Sequence, residues 1–230
     1  MIHRGPVTGL LGGSFNPAHG AHRRISLFAA DALALDEVWW LVSPGNPLKP
    51  ASGMASLPAR FRSARQQARR APIRVTAIEG ELHDVYTVNT LAALRRRYPK
   101  RRFVWLMGAD NLAQFHRWRH WRRIARQMPI AVIARPGYDH AALASPAMAW
   151  LRRYRLSAAS FRDLRSLNRR EWSAPALIEL RFDPDPRSAT QIRSADPLWA
   201  GRLGGATLWD DVTHSPIHDA GKPVAVECVR

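Results

Sequence analysis

The chain predicts an α/β fold: a doubly wound, Rossmann-like parallel sheet with helices on both faces. Three observations lead there. The strand-like runs are apolar at consecutive positions rather than alternating, as in strands covered on both sides. Helix-length segments separate them, the spacing of strand–helix–strand crossovers. The loops rich in Gly, Pro and Asn fall after strands, where ligands sit in open α/β sheets, close to the switch in strand order.

The elements follow in order. "VTGLL" (7–11) reads as a buried strand and "GAHRRISLFAADALAL" (20–35) as an amphipathic helix. "EVWWLVS" (37–43) is the next strand, followed by the loop "PGNPLKP". Ser56 is placed to cap "LPARFRSARQQARR", with Pro58 in the first turn, where a missing N–H is harmless. "IRVTAI" (73–78) is a strand, and Thr87 is placed to cap "VNTLAALRRRY", which stops before Pro99. "RFVWLM" (102–107) is a strand, "NLAQF" and "WRRIARQ" are helical, and "IAVIA" (130–134) and "LIELR" (177–181) are strands. Residues 140–175, rich in Arg and Ser with weak helical signals, read as an insertion on the same domain. We expect one domain over 1–204 and a tail over 205–230, without helical periodicity and partly loose, of unknown role.

Composition excludes several classes. The chain has 230 residues, 46% of them hydrophobic, enough for a sizeable core. No apolar run approaches the roughly 20 residues that span a bilayer, and the N-terminus does not read as a signal peptide. Cys228 is the only cysteine, which excludes an internal disulfide and a thiolate cluster. A cytoplasmic protein without a membrane partner is expected. The net charge is +17, and residues 95–126 hold eleven Lys or Arg against one acid, Asp110. We read that window as a solvated face that favours anionic small substrates, not as a nucleic-acid site.

The densest chemistry is "GGSFNPAHGAH" (12–22). Gly12 and Gly13 after a strand suit a tight turn and close approach of backbone to a ligand. Amides at the following helix start favour negative charge. His19 and His22 are three apart, on one side of that first turn, where two imidazoles can donate to phosphate oxygens. No Cys, Asp or Glu stands nearby to complete a zinc set, so no metal ligands are assigned. The spacing fits neither a Walker loop nor the dinucleotide Gly-x-Gly-x-x-Gly turn.

This stretch resembles the signature of the nucleotidyltransferase superfamily, Gly-Gly-Ser/Thr-Phe-Asp-Pro-x-His-x-x-His, with Asn16 where Asp is commoner. Downstream, "RSATQIR" (187–193) is similar to its Ser-Ser-Thr-x-Ile-Arg element, with Ala189 in place of the middle Ser. Three more stretches resemble bacterial nicotinate-nucleotide adenylyltransferases: "YTVNTL" (86–91), "MGADNLAQFHRW" (107–118) and "ARPGY" (134–138). One loop departs, because Leu48 stands where the family often has His.

The resemblance implies transfer of the adenylyl group of ATP to nicotinate mononucleotide (NaMN), giving deamido-NAD and pyrophosphate. It implies catalytic roles for His19, His22, Lys49 and Arg193. It implies that Gly12, Gly13, Ser14, Phe15, Gly108, Asp110, Arg135, Ser188, Thr190 and Ile192 bind ATP. Asn46, Tyr86, Thr87 and Trp118 would bind NaMN, with Trp118 stacked on the pyridine ring; core packing is the alternative for that Trp. Mg²⁺ would arrive with ATP. A monomer or homodimer is expected. The alternative within the superfamily is phosphopantetheine adenylyltransferase; from another class, a nucleic-acid-binding module using 95–126.

Overall fold

The computed structural model describes residues 5–45, 53–82, 86–134, 139–166, 174–182, 188–203 and 207–218. In chain order the elements are β1 (Val7–Gly13), α1 (Gly20–Ala32), β2 (Glu37–Val42), α2 (Leu57–Ala68), β3 (Ile73–Thr76), α3 (Ile78–Glu81), α4 (Thr87–Arg97), β4 (Arg102–Gly108), α5 (Ala109–Gln114), α6 (Trp121–Gln127), β5 (Ile130–Ile133), α7 (Asp139–Leu143), α8 (Pro146–Leu151), β6 (Arg155–Leu156), α9 (Ala158–Ser166), β7 (Leu177–Leu180) and α10 (Ala189–Ala195).

The seven strands are all parallel, in the order β3-β2-β1-β4-β5-β7-β6. This is the doubly wound fold that the sequence predicts. Strand order reverses between β1 and β4, where Leu11 lies beside Leu106. The "GGSFNPAHGAH" turn and "MGAD" therefore emerge side by side at the carboxyl edge.

Consecutive apolar residues fill two cores, one on each face. In β2, Val38, Trp40 and Val42 point to the core under α1, α2 and α9, which Ile25, Phe61 and Phe161 complete. Trp39 and Leu41 point the other way, to Leu91, Leu112, Ile124 and Met148. Side chains alternate across a strand, so a strand buried on both faces needs an apolar residue at every position.

Local signals account for several boundaries. Ser56 caps α2, its Oγ accepting from the Ala59 amide at 3.4 Å. Ser188 caps α10, accepting from the Gln191 amide at 3.2 Å. Thr87 does not cap α4: it is the first helical residue, and Tyr86 takes the cap position without a side-chain bond. The segment read as an insertion contributes β6, which pairs with β7 through Arg155 and Leu156 and widens the sheet.

Of the tail, expected to be partly loose, the structure describes residues 207–218. Those residues fold against β3, the open edge of the sheet. The Val75 amide donates to the Asp211 carboxylate at 3.0 Å, and the Asp211 amide returns a bond to the Val75 carbonyl at 3.1 Å. Asp210, 1% exposed, accepts from the amides of Ala77, Val212 and Thr213 at 2.7, 2.8 and 2.9 Å. Leu208 and Ile217 pack on the α1/α2 core. An uncovered edge strand exposes unpaired amides and carbonyls to other chains; here side-chain carboxylates and one peptide take the place of a further strand. Thr213 and Arg97 both donate to Glu81. Burial pushes the Glu81 carboxyl up, but those bonds outweigh it and hold it below its ordinary value. This contact therefore stabilises above the usual carboxylate range and fades as pH falls through the lowered value.

Asp210→Ala would leave three amides without their acceptor. We expect a loss of about 2–3 kcal/mol in urea unfolding. A change under about 0.5 kcal/mol, the range of an ordinary surface substitution, would contradict this account of the edge.

Candidate active site

The site is built on the turn between β1 and α1. β1 runs through both glycines. Gly12 does not make the turn: a Cβ there would lie 2.7 Å from the ring of Trp105, so Gly12 leaves room for that indole. The left-handed residue is Phe15, at φ 47°. An aromatic residue in that region carries strain of order 1–3 kcal/mol and persists only where its surroundings over-determine it. Here its ring stacks on Trp40 with centroids 5.0 Å apart and lies 4.9 Å from His22.

Contacts from α2, residues 53–55 and α10 hold the turn. Arg60 of α2, 1% exposed, spreads its guanidinium over four carbonyls. Nη1 donates to Ser14 at 2.8 Å and Ser43 at 2.7 Å, Nε to Ala55 at 2.9 Å, and Nη2 to Pro44 at 3.3 Å. Ser63, one turn further along α2, accepts from the Ala18 amide at 3.1 Å. The Asn16 side chain is buried; its Nδ2 donates to the Gly53 carbonyl at 2.8 Å and its Oδ1 accepts from the Ala55 amide at 3.2 Å. An Asp there could not make the first of these bonds. The Asn16 carbonyl accepts from Arg193 Nη1 at 2.6 Å, across 177 positions of sequence, while Arg193 Nη2 donates to Thr190 at 3.2 Å.

His19 and His22 meet on this turn with ring centroids 4.0 Å apart. His22 Nδ1 accepts from the His19 amide at 3.2 Å. That bond leaves the proton of a neutral His22 ring on Nε2, the tautomer that donates to an anion. Ser26, itself buried, donates to the His22 carbonyl and accepts from Trp40 Nε1, both at 2.8 Å, which fixes the first turn of α1 against β2.

A second wall stands across Trp105. Trp118 is half-buried and meets Phe115 and Trp105 edge-on, at 5.4 and 6.3 Å. Trp105 in turn lies over Gly12, so an aromatic row links Trp118 to β1, the strand that leads into the histidine turn. The Arg119 guanidinium lies 4.5 Å over the half-buried Tyr86 ring. That contact brings the start of α4, with Tyr86 and Thr87, beside the Trp118 segment. Other arginines of the basic window are likewise engaged on aromatic faces: Arg122 on Trp121 at 4.4 Å, Arg126 on Trp150 at 5.6 Å and Arg101 on Trp39 at 4.9 Å.

The structure thus joins His19, His22, Ser14 and Phe15 to Thr190 and Arg193. Ser188 and Ile192 lie on the same short helix, and Gly108 and Asp110 lie at the adjoining end of β4. Asn46, Lys49 and Arg135 lie outside the described residues. Arg60, Ser63 and Trp105 were missed by sequence reasoning. The signal for Arg60 was spacing: Leu57, Phe61, Ala64 and Ala68 form the buried face of α2, and Arg60 falls on that face rather than with the solvated arginines.

Comparison with known proteins agrees with this architecture. The cytidylyltransferase-like family model matches residues 10–195. A protein of Erythrobacter litoralis, named a probable nicotinate-nucleotide adenylyltransferase, is 69% identical over 218 residues, covering 95% of this chain and 97% of that protein. One of Bradyrhizobium sp. with the same name is 49% identical over 191 residues, covering 83% and 97%. The Plasmodium falciparum nicotinic acid mononucleotide adenylyltransferase complexed with NaAD superposes with a TM-score of 0.59 at 14% identity, over 82% of this chain and 83% of that one. At that identity the superposition speaks for the fold alone. With the sequence relatives, it leaves one assignment: the chain belongs to the cytidylyltransferase-like family and, within it, to the nicotinate-nucleotide adenylyltransferases.

Proposed function

We infer that the chain transfers the adenylyl group of ATP to NaMN, releasing pyrophosphate and forming deamido-NAD. The observation that carries the reading is the convergence at the β1/β4 switch. There the histidine turn is bonded to Arg193, and the Trp118–Tyr86 wall stands beside it. One side offers donors for a triphosphate, the other flat aromatic surface for a second ring.

The attacking group is a phosphate oxygen of NaMN. It forms a bond to the α-phosphorus of ATP as the bond from that phosphorus to the oxygen shared with the β-phosphorus breaks, and that oxygen leaves with pyrophosphate. The nucleophile is already an anion, so no general base is needed. Catalysis rests on placing two anions in line and on meeting the charge that grows on the leaving group. His22 Nε2 is the donor placed for that charge, with His19 beside it. Arg193 leaves the Asn16 carbonyl for the β/γ-phosphates, and Ser188, Thr190 and Ile192 set the helix that carries it. Gly108 and Asp110 meet the ribose, and Arg135 the adenine. The family resemblance assigns Lys49 to the triphosphate and Asn46 to NaMN. Tyr86 and Thr87 present amides at the start of α4 to the nicotinate carboxylate, since first-turn N–H groups lack helical partners.

Mg²⁺ enters as part of the ATP substrate. Among the described residues no group of three or more His, Cys, Asp or Glu side chains is placed to hold an ion, and the donors at the turn are of the kind that bind phosphate directly. None of the described helices is long and apolar enough to cross a membrane. We place the reaction in the cytoplasm, with a monomer or homodimer as the working unit.

ATP-dependent pyrophosphate release should be strong with NaMN and far weaker with phosphopantetheine; equal turnover with phosphopantetheine would overturn the reading. His22→Ala should fold normally and lose about 10²–10³ in kcat, the cost of removing one donor to transition-state charge. A loss under tenfold in a folded variant would remove His22 from that role.

Trp118→Ala separates stacking from packing. An indole on a cationic pyridinium contributes roughly 0.5–2 kcal/mol, so the KM for NaMN should rise several-fold or more while that for ATP stays near the wild-type value. If Trp118 serves only the core, the melting temperature falls and neither KM changes selectively.

A further inference from the structure

Arg60 has no part in the chemistry just described, yet it is among the most buried polar side chains of the molecule. Burying a guanidinium is costly unless its hydrogen bonds are made. Backbone carbonyls from three loops accept from it: Ser14 after β1, Ser43 and Pro44 after β2, and Ala55 before α2. Only a planar fork with donors in fixed directions reaches such a set; a lysine ammonium is a point charge on a flexible stem.

These loops meet at the phosphate-binding turn. Ser14 precedes Phe15, whose left-handed backbone brings its ring to 4.9 Å from His22. Ala55 is held twice, by Arg60 at its carbonyl and by the Asn16 amide side chain at its N–H. Ser63, three residues after Arg60 and on the same side of α2, holds the far end of the turn through Ala18.

We propose that Arg60 is a positioning residue for adenylyl transfer: from beneath, it fixes the Ser14–His19 turn and so sets the place and tautomer of His22, with Ser63 holding the other end. The proposal rests on the functional reading above. It assigns Arg60 no contact with substrate. What it supplies is preorganisation, and a displacement of about 1 Å at a reacting group can cost on the order of 10²-fold in rate.

The test uses the full chain. Arg60→Lys keeps the charge and loses the fork. Its kcat should fall by about 10–100-fold with both KM values near wild type, because the defect lies in alignment rather than uniform binding. In a His22→Ala background the same substitution should cost less than about threefold, since groups acting as one unit are not additive. Ser63→Ala, a milder change, should lower kcat by about three- to tenfold in the same pattern. Imidazole ¹H–¹⁵N spectra give a readout independent of turnover. His22 should carry its proton on Nε2 in the wild type and become a mixture of tautomers in Arg60→Lys and Ser63→Ala.

Wild-type tautomer populations in both variants, kcat within about threefold of wild type, or a full multiplicative loss in the His22→Ala background would each overturn the proposal. If Arg60→Lys fails to fold, Ser63→Ala carries the same rate and spectral tests. If the wild type fails to release pyrophosphate with NaMN, the functional reading falls, while the spectra still decide the role of Arg60.

Discussion

The arrangement at the sheet's carboxyl edge depends on one buried cation. The guanidinium of Arg60 gathers carbonyls from the loops after β1 and β2 and from the entry to α2. Those bonds satisfy carbonyls of four partly buried residues, and a polar group left unpaired out of water is costly. The strained Phe15 backbone, the 4.0 Å pairing of His19 with His22 and the reach of Arg193 to Asn16 all lie on the turn thus secured. A phosphate site made of main-chain direction and imidazole orientation works only if neither has to reorganise when charge develops.

Topology explains why this turn, and not another, is the proposed seat of the chemistry. β1 and β4 are neighbours but are separated in sequence by two strands and their helices. Their following segments diverge to opposite faces, opening a crevice between them. α10, far downstream, closes one side with Arg193; Trp118 and Tyr86 border the other. Part of the Arg excess is engaged within the molecule: Arg60 is buried on carbonyls, and Arg101, Arg119, Arg122 and Arg126 lie on aromatic faces. Net charge alone is therefore a poor guide to a nucleic-acid surface.

Much of this was legible in the chain. Consecutive apolar runs gave the parallel sheet because burial on both faces leaves no polar position. Ser56 and Ser188 announced helix starts because their hydroxyls compete for first-turn amides. Thr87 misled by one residue, since a capping residue type can equally begin a helix. β6 was illegible: two residues, Arg155 and Leu156, carry no periodicity, and only the neighbouring β7 makes them a strand. The order of 207–218 was hidden because it rests on Asp210 and Asp211 reaching distant amides, not on a repeat. At the site, the histidines and Arg193 stood out by motif, whereas Arg60 looked like any of its neighbours until its place on the apolar face of α2 was known. Asn16 appeared as a departure from pattern, and its amide proved to make a bond to Gly53 that a carboxylate could not.

The central claim is that a turn fixed before substrate arrives receives the α-phosphate. A crystal structure of the chain with a non-hydrolysable ATP analogue and NaMN tests it most directly. The account predicts the analogue's α-phosphate within hydrogen-bond distance of His22 Nε2, with residues 14–19 and the Arg60 bonds unmoved. A triphosphate bound elsewhere, or a turn that rebuilds itself around the ligand with Arg60 released, would contradict it.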